Sequence, residues 1–394
     1  MSGGAAAERF FAPCPRGLEA SLAAELGPLG ASEVAIVDGG VAFAGDLALA
    51  CRANLQSRLA SRILWRVGGG AGRDERDLYA LVHALEWQRL FKAERTLRVD
   101  VSATRAPMKS LEFATLRVKD AVCDRFRAER GVRPSIDKRA PDVRVNVYLT
   151  EHDATIYVDT SGEPLFKRGY RREADEAPLR ENLAAGLIAL AGWAPGTPFL
   201  DPLCGSGSIV VEAALIAANR APGLMRSFGF QKLEWYDGPA WQRMKQAARD
   251  ALRPAPPAPE IFASDIAQPA VAKCAGNLAA AQVRDFVAID RIDMLERAAP
   301  AAAGVLLANP PYGERLDDAA RLAAFYPKLG DALKRGFAGW TACFLTADLR
   351  LAKLIGLKAA RRTPLYNGAL ECRLFAFPLV AGSMREKAPV LKSP

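Results

Sequence analysis

TPFLDPLCGSGSIVVEAALIAANR (197–220) reads as an apolar strand, an acid, a glycine loop and an apolar helix in immediate succession. Units of this kind build open parallel sheets, in which ligands sit at the carboxyl ends of the strands. Gly205 and Gly207 let the backbone approach a ligand with no Cβ in the way. The first turn of the helix offers unpaired N–H groups to a carboxylate. The loop is not a phosphate P-loop, because no Gly-Lys-Ser/Thr follows. Nor does it match the dinucleotide fingerprint, whose ribose-binding acid comes roughly 20 residues on. Here the next strand ending in an acid, IFASD (261–265), arrives far later. A glycine loop alone also serves helix entry and close packing, so the rest of the chain decides.

The α/β texture continues on both sides of this stretch. ENLAAGLIALAGW (181–193), AVAKCAGNLAAAQV (270–283) and a segment near 318–336 read as helices. IFASD, DFVAI (285–289), GVLLANPP (304–311) and TACFLTAD (341–348) read as strands. RRTPLYNGALECRLFAF (361–377) is expected to form a closing hairpin joined by Asn367-Gly368 in a type I′ turn. The result is a mostly parallel sheet that ends with an antiparallel strand. Acids then line up at strand ends. Asp201 is placed to engage the amino group of an amino-acid-bearing cofactor, Asp265 to grip ribose hydroxyls, and Asp293 to accept from an adenine amine. Each alone reads more readily as a helix cap or loop residue. The signal is the succession of four strand ends, the fourth at Asn309.

That fourth end, ANPPYGERL (308–316), is chemically unusual. Pro310 and Pro311 carry no N–H, and each disfavours helix in the residue before it. The backbone at Asn309 is held extended, and its amide offers one acceptor and two donors beside the flat face of Tyr312. Such a device suits the exocyclic amine of a flat heterocycle. The competing reading is a strand end followed by a turn.

The first part of the chain is α+β. FFAPCPRGLEASLAAELGPLGA (10–31) reads strand, turn, helix, and VAIVDGGVAFAGD (34–46) a hairpin around Asp-Gly-Gly. DLALACRANLQSRLASRILWRVG (46–68) reads as an amphipathic helix with a basic polar side. RTLRVDVSATR (95–105) and VRVNVYLTEHDATIYVDT (143–160) look like strands, with the helix FATLRVKDAVCDRFRAERG (113–131) between them. The polar, turn-rich 159–180 is a plausible linker, and a long insertion follows residue 220. No internal repeat is visible.

With 394 residues the chain exceeds one core. No apolar run approaches the ~20 residues of a membrane span, and the start lacks a signal peptide's basic and apolar regions, so a cytoplasmic protein is expected. Seven scattered cysteines without a CxxC pair fit reduced thiols. His83 and His152 stand alone, so neither a metal site nor a His-based triad is expected. The net charge of +9 suits a polyanion. Lys and Arg crowd 51–66, 117–134 and 167–172, which points toward nucleic acid.

DPLCGSGS (201–208) and NPPYG (309–313), in this order, resemble the class I S-adenosylmethionine-dependent methyltransferases that modify an exocyclic nitrogen. SGEPLFKRGYR (161–171), APGLMRSFGF (221–230), NPPYGERL (309–316) and LYNGALEC (365–372) resemble one subfamily. It comprises the THUMP-containing 23S rRNA (guanine-N2-)-methyltransferases, and the likeness covers nearly the whole chain. It implies an α/β fold: a Rossmann-like seven-stranded class I methyltransferase domain (181–384) after an α+β RNA-binding region. That region would be a ferredoxin-like segment (1–47) and a THUMP domain (48–158), followed by the linker (159–180); a tail (385–394) closes the chain. The resemblance implies S-adenosyl-L-methionine as cofactor, held by Asp201, Cys204, Gly205, Gly207, Asp265 and Asp293, and ribosomal RNA as partner. It assigns the chemistry to Asn309, Pro310 and Tyr312: the Asn309 side chain and the next backbone carbonyl accept from the target amine, and the aromatic ring stacks on the base. Two departures stand out: Ser208 replaces the usual Thr, and Phe166 a common His. Because the chain ends soon after its sheet, the stand-alone form is expected, not the fusion to a second methyltransferase.

Alternatives within the class are tRNA guanine methylation and adenine-N6 methylation of DNA, the latter leaving the basic N-terminal half unexplained. Carbon-5 pyrimidine methylation needs a cysteine nucleophile near the fourth strand, and ANPPYGERL has none. From another class comes an RNA-binding protein with an inactive methyltransferase fold.

Overall fold

The computed structural model describes residues 7–108, 110–171, 179–310 and 316–380, with the backbone alone over 316–322. The chain divides into two compact units, Met1–Gly169 with Arg220–Leu252, and Tyr170–Asn219 with Arg253–Pro394.

The first unit runs β1 (Glu8–Pro13), α1 (Glu19–Leu26), β2 (Ser32–Val37), β3 (Gly40–Gly45), α2 (Leu47–Gln56), β4 (Leu64–Ala71), α3 (Glu75–His83), β5 (Leu97–Ala103), α4 (Leu111–Arg130), β6 (Val143–Leu149) and β7 (Asp153–Asp159). Its seven strands form one sheet in the order β2-β3-β1-β4-β7-β6-β5. The Asp-Gly-Gly hairpin forms as read: Val37 faces Gly40 across Asp38–Gly39, with Gly39 at φ +76°. Helix ends follow side-chain chemistry. Asp46 Oδ1 accepts from the Leu49 N–H at 2.6 Å to start α2, and Gly131 (φ +71°) ends α4.

The stretch 46–68 is not one helix. It stops at Gln56, and the extended Ser57 turns the chain, its Oγ accepting from the Ala60 N–H at 3.1 Å. Leu64 and Trp65 then pair with β1 on one side and β7 on the other. Burying a bulky strand between two partners outweighs extending an amphipathic helix.

The basic stretches also behave differently from a free cationic stripe. Arg52 caps the Leu29 carbonyl and pairs with Asp46. Arg62 pairs with the buried Asp159, and Arg168 donates to the carbonyls of Leu165 and Arg58. On α4, Lys119, Arg125 and Arg127 each pair with an acid of the same helix. Many of these cations fasten the fold, so counting them overstated the free cationic surface.

The chain enters the second unit through α5 (Glu181–Ala191), β8 (Phe199–Asp201) and α6 (Ser208–Ala217), then returns to the first unit for 220–252, which carries α7 (Gly238–Asp250). There the Gly223 N–H donates to Leu55 O at 2.9 Å and the Phe230 N–H to Thr160 O at 2.8 Å. Arg226 caps the carbonyls of Pro164 (2.6 Å), Glu163 (2.5 Å), Lys167 (3.2 Å) and Ser161 (3.3 Å). A Cβ on Gly229 would stand 2.9 Å from Asp159 O. Within the stretch expected as a linker, Thr160, Ser161, Arg168 and Tyr170 are buried. APGLMRSFGF and SGEPLFKRG are thus two halves of one packed arrangement.

The second unit resumes with β9 (Ile261–Asp265), α8 (Gln268–Ala280), β10 (Val287–Arg291), β11 (Gly304–Ala308), α9 (Leu316–Gly336), β12 (Trp340–Thr346), α10 (Leu351–Leu354), β13 (Arg361–Asn367) and β14 (Leu370–Pro378). Its sheet order is β10-β9-β8-β11-β12-β14-β13; β14 alone runs antiparallel, and β13 beyond it returns to the direction of the first five. Leu200, Leu306, Phe344, Trp340 and Phe377 are buried in one core against Tyr326 and Leu333 of α9, as expected for strands covered on both faces. The closing hairpin differs from the type I′ expectation. Asn367 pairs with Leu370 across Gly368–Ala369, and only Gly368 (φ +65°) of that loop is left-handed. Among the described residues no helix is long and apolar enough to cross a membrane, and no cluster of three or more His, Cys, Asp or Glu could hold a metal. All seven cysteines are free and buried.

Candidate active site

Strand register puts the four polar strand ends on one edge of the second sheet. Asp201 pairs with Ala263 of β9, Asp265 with Arg291 of β10, and Leu306 with Leu200. Asp201 and Asp265 therefore end neighbouring strands, Asp293 follows β10 by two residues, and Asn309 follows β11 directly.

Asp201 is 1% exposed, and its Oδ1 accepts from the Leu203 N–H at 3.2 Å. Burial, with a smaller push from the Asp265 carboxylate, raises its pKa to about 8, against the weaker pull of that backbone bond. Asp265 is half-buried, and each of its oxygens accepts one backbone bond: Oδ2 from the Gly205 N–H at 3.0 Å and Oδ1 from the Ala267 N–H at 2.9 Å, leaving a second lone pair on each. The acid of the second strand thus holds the glycine loop of the first.

The loop is fixed from several sides. The Cys204 N–H donates to Ser264 O at 3.0 Å, and the Gly207 N–H to Cys204 O at 2.8 Å. Gly205 and Gly207 adopt φ +53° and +87°. A Cβ on Gly207 would stand 2.6 Å from Cys274 Sγ, whereas one on Gly205 would meet nothing within 4 Å. The loop therefore packs against α8 at Gly207 and is open at Gly205. The neighbouring Cys274 thiol and burial hold the Cys204 thiol neutral. Helix α6 starts at Gly207 with no side-chain cap, so its first N–H groups remain for an anion.

Asp293 Oδ1 accepts from the Leu295 N–H at 2.9 Å. Asn309 is half-buried and Pro310 buried. Pro311 and Tyr312 lie outside the described residues.

Two residues of this region escaped sequence reasoning. Asn277 of α8 donates to Ser206 O at 2.9 Å, clamping the loop from below beside Cys274. Arg171 donates to Ser208 Oγ at 2.8 Å and pairs with the buried Glu181 at 3.1 Å, fastening the start of α6. Asn277 left a signal, since asparagine is disfavoured within helices unless its amide has a task. Arg171 left none, because Ser208, the loop residue it holds, is 37 positions away.

A mostly parallel seven-stranded sheet with a reversed last strand, and a glycine loop edged by acids, defines the class I methyltransferase fold. The RMKL-like methyltransferase domain (UPF0020) matches residues 168–376, the ferredoxin-like domain of RlmL matches 9–64 and the THUMP domain 72–159. The chain belongs to this RMKL-like methyltransferase family. It is 38% identical over 402 residues to the ribosomal RNA large subunit methyltransferase K/L of Aeromonas salmonicida, covering 97% of this chain and 56% of that protein. The protein of that name from Syntrophotalea carbinolica is 41% identical over 94% of this chain and 53% of its own length. The chain thus spans about half the length of these relatives. Among solved structures, SMU.472 in complex with SAH superposes with a TM-score of 0.87 at 29% identity, over 96% of this chain and 99% of that one. A Listeria monocytogenes protein, described as an N6-adenine-specific DNA methylase by prediction, superposes with a TM-score of 0.85 at 29% identity, over 95% and 96%.

Proposed function

We propose that this chain transfers a methyl group from S-adenosylmethionine to the exocyclic N2 of a guanine in 23S rRNA. The observation that carries this reading is the row of Asp201, Asp265, Asp293 and Asn309 on one sheet edge, around a loop with an open face at Gly205. These residues fit the cofactor. The buried Asp201 carboxyl answers an ammonium, the uncapped start of α6 a carboxylate, Asp265 a ribose and Asp293 an adenine amine, with Cys204 and Gly207 shaping the floor. When bound, S-adenosylmethionine supplies an electrophilic methyl group. The chain's own task is to present the base. The lone pair of a guanine N2 is delocalised into the ring and is a poor nucleophile. The Asn309 side chain and the Pro310 carbonyl accept the amine's hydrogens and draw them out of the ring plane, which localises the lone pair. Tyr312 stacks on the ring, and alignment and proximity lower the barrier. The proton leaves to solvent without a strong general base, and the base must leave its stack to enter.

Ribosomal RNA as substrate is supported by the names of the K/L relatives and by the THUMP and ferredoxin-like matches. The same reading divides the chain into a ferredoxin-like segment (1–47), a THUMP domain (48–158), a packed connecting stretch (159–180), a catalytic domain (181–384, less the insertion 220–252 that joins the first unit) and a tail (385–394), and it assigns the protein to the cytoplasm with the ribosome. The test is methyl transfer to 23S rRNA lacking the modification, followed by nuclease digestion and mass spectrometry. N2-methylguanosine is expected; methyl groups on adenine or on tRNA alone would redirect the substrate assignment. Asp265→Ala should weaken cofactor binding with little effect on RNA binding, and an unchanged dissociation constant would remove Asp265 from the site.

A further inference from the structure

The sheet of the first unit has one face packed by helices, and the proposed chemistry gives its other face no task. Side chains alternate between the two faces along a strand. Along β6, Val145, Val147 and Leu149 are buried, whereas Asn146 is half-buried and Tyr148 is 40% exposed. Along β7, Ala154, Ile156 and Val158 are buried, whereas Thr155 and Tyr157 are half-buried. The same division holds on β4. A Cβ on Gly68 would stand 2.9 Å from Leu85, just beyond α3, and one on Gly70 3.2 Å from Leu81 of α3. Gly69, between them, faces the other way.

That second face carries aromatic rings and a guanidinium laid along the sheet. Tyr157 pairs with Arg66 of β4 on one side and with Asn146 of β6 on the other. The Phe11 ring of β1 lies 6.2 Å from that of Tyr157, centroid to centroid. Tyr148, opposite Thr155, stands one diagonal step from Tyr157, about 7–8 Å away. Its hydroxyl donates to Thr104 Oγ1 at 3.0 Å. Glycines make the room: a Cβ on Gly40 would stand 2.7 Å from the Phe11 ring, and one on Gly69 2.8 Å from Arg66 Nη2. The half-buried Phe11 and the exposed Arg66 therefore lie over positions that have no side chain. The three rings cross the sheet from β1 to β6, with Arg66 beside the middle one.

We propose that this sheet face binds a single-stranded stretch of the RNA, with Phe11, Tyr157 and Tyr148 under successive bases and Arg66 on the phosphates; the proposal rests on RNA being the substrate. An aromatic ring accepts any base, because every base has a π-face. Bases stacked inside a duplex do not offer those faces, so unpaired RNA is the form that fits. Charge alone does not explain the surface. At its rim Arg98 is held by Asp100 at 2.7 Å and Arg9 by Glu33 at 3.1 Å. The rings, and not a surplus of cations, give it a preference.

The test uses the full chain, a single-stranded RNA carrying 2-aminopurine and a hairpin stem of the same composition. Binding is read by anisotropy, and stacking by loss of 2-aminopurine emission. The single strand should bind roughly tenfold tighter than the stem and lose emission as it binds. Tyr148→Ala, at an exposed site, should weaken the single strand roughly tenfold and restore part of the emission. Stem binding and melting temperature should stay as in the wild type. Tyr148→Phe should bind like the wild type, which separates stacking from the bond to Thr104. Arg66→Gln should lower the slope of log affinity against log salt by about 0.7 for the single strand. Equal affinity for strand and stem, no binding of the strand, or a Tyr148→Ala protein that binds and quenches like the wild type overturns the surface. Ring-dependent binding in a protein that transfers no methyl group to 23S rRNA would instead sink the proposed activity and leave the surface standing.

Discussion

At the residue scale the sharpest consequences concern Asn309 and Asp201. Asn309→Ala is expected to lower the single-turnover methyl-transfer rate by roughly 10²-fold, the usual loss for a preorganised polar contact in a dry site, with cofactor affinity barely moved. Asn309→Asp should keep part of the activity if accepting from the amine is the main task. Tyr312→Phe should be milder than Tyr312→Ala, since stacking needs the ring. A merely structural turn predicts otherwise: a lower melting temperature and weaker cofactor binding together. An Asn309→Ala protein that melts like the wild type and still methylates at its rate would end this account. For Asp201 the sign can be worked out. Its carboxyl is neutral in the free protein below a pKa of about 8, whereas an ammonium partner needs the carboxylate. Cofactor binding below that pH therefore releases a proton, and affinity should rise by up to about tenfold per pH unit toward pH 8. Above it the cofactor's own amine, with a pKa of about 8, begins to lose its charge, so affinity peaks there. Asp201→Asn should flatten the rising limb. A wild-type dissociation constant constant between pH 6 and 8 would separate Asp201 from the ammonium. These positions were legible because a strand end follows from local patterning. Arg171 and the Asn277 clamp depend on partners brought close only by the fold.

At the element scale, the glycine loop shows how two glycines in one motif serve different ends. Both are left-handed, so either substitution by alanine strains the backbone by roughly 1–2 kcal/mol. At Gly207 the added methyl also meets Cys274 Sγ at 2.6 Å, while at Gly205 it enters open space. Gly207→Ala should therefore lower the melting temperature more than Gly205→Ala, and Gly207→Ala with Cys274→Ala should recover the steric part of the difference. Gly205→Ala should instead show its larger effect on cofactor affinity, because under the proposed function the open space beside it receives the cofactor. Equal melts for the two single variants would refute the packing argument. Hairpins, capped helices and the parallel strands were readable from turn chemistry and periodicity. The end of α2 was not, because 46–68 satisfies a helical pattern locally and yields to strand pairing with β1 and β7, a tertiary effect.

At the scale of the whole molecule, the sequence places 220–252 inside the catalytic domain, whereas the chain sends that insertion to complete the first unit. Linear patterning carries no sign of this allegiance, since Arg226 reaches carbonyls near residue 163 and Gly229 packs on Asp159 only after folding. An isolated fragment ending at residue 169 would leave those carbonyls uncapped and remove the buried Phe228, Phe230 and Trp241. Each such aromatic contributes about 1.5–3 kcal/mol by burial, and a domain's entire stability is about 5–15 kcal/mol. Residues 1–169 alone should therefore fail to show a cooperative melt. A chimera that joins 1–169 to 220–252 through a short flexible linker should melt cooperatively and bind RNA, with affinity falling steeply between 50 and 200 mM salt as each counterion released by a phosphate contact gains less entropy. Arg226→Ala in that chimera should lower its melting temperature without changing the slope of affinity against salt, because the guanidinium is occupied by carbonyls and is not a phosphate contact. Thermal melts of the fragment and the chimera decide the matter: a fragment as stable as the chimera would show that the insertion adds nothing to the first unit.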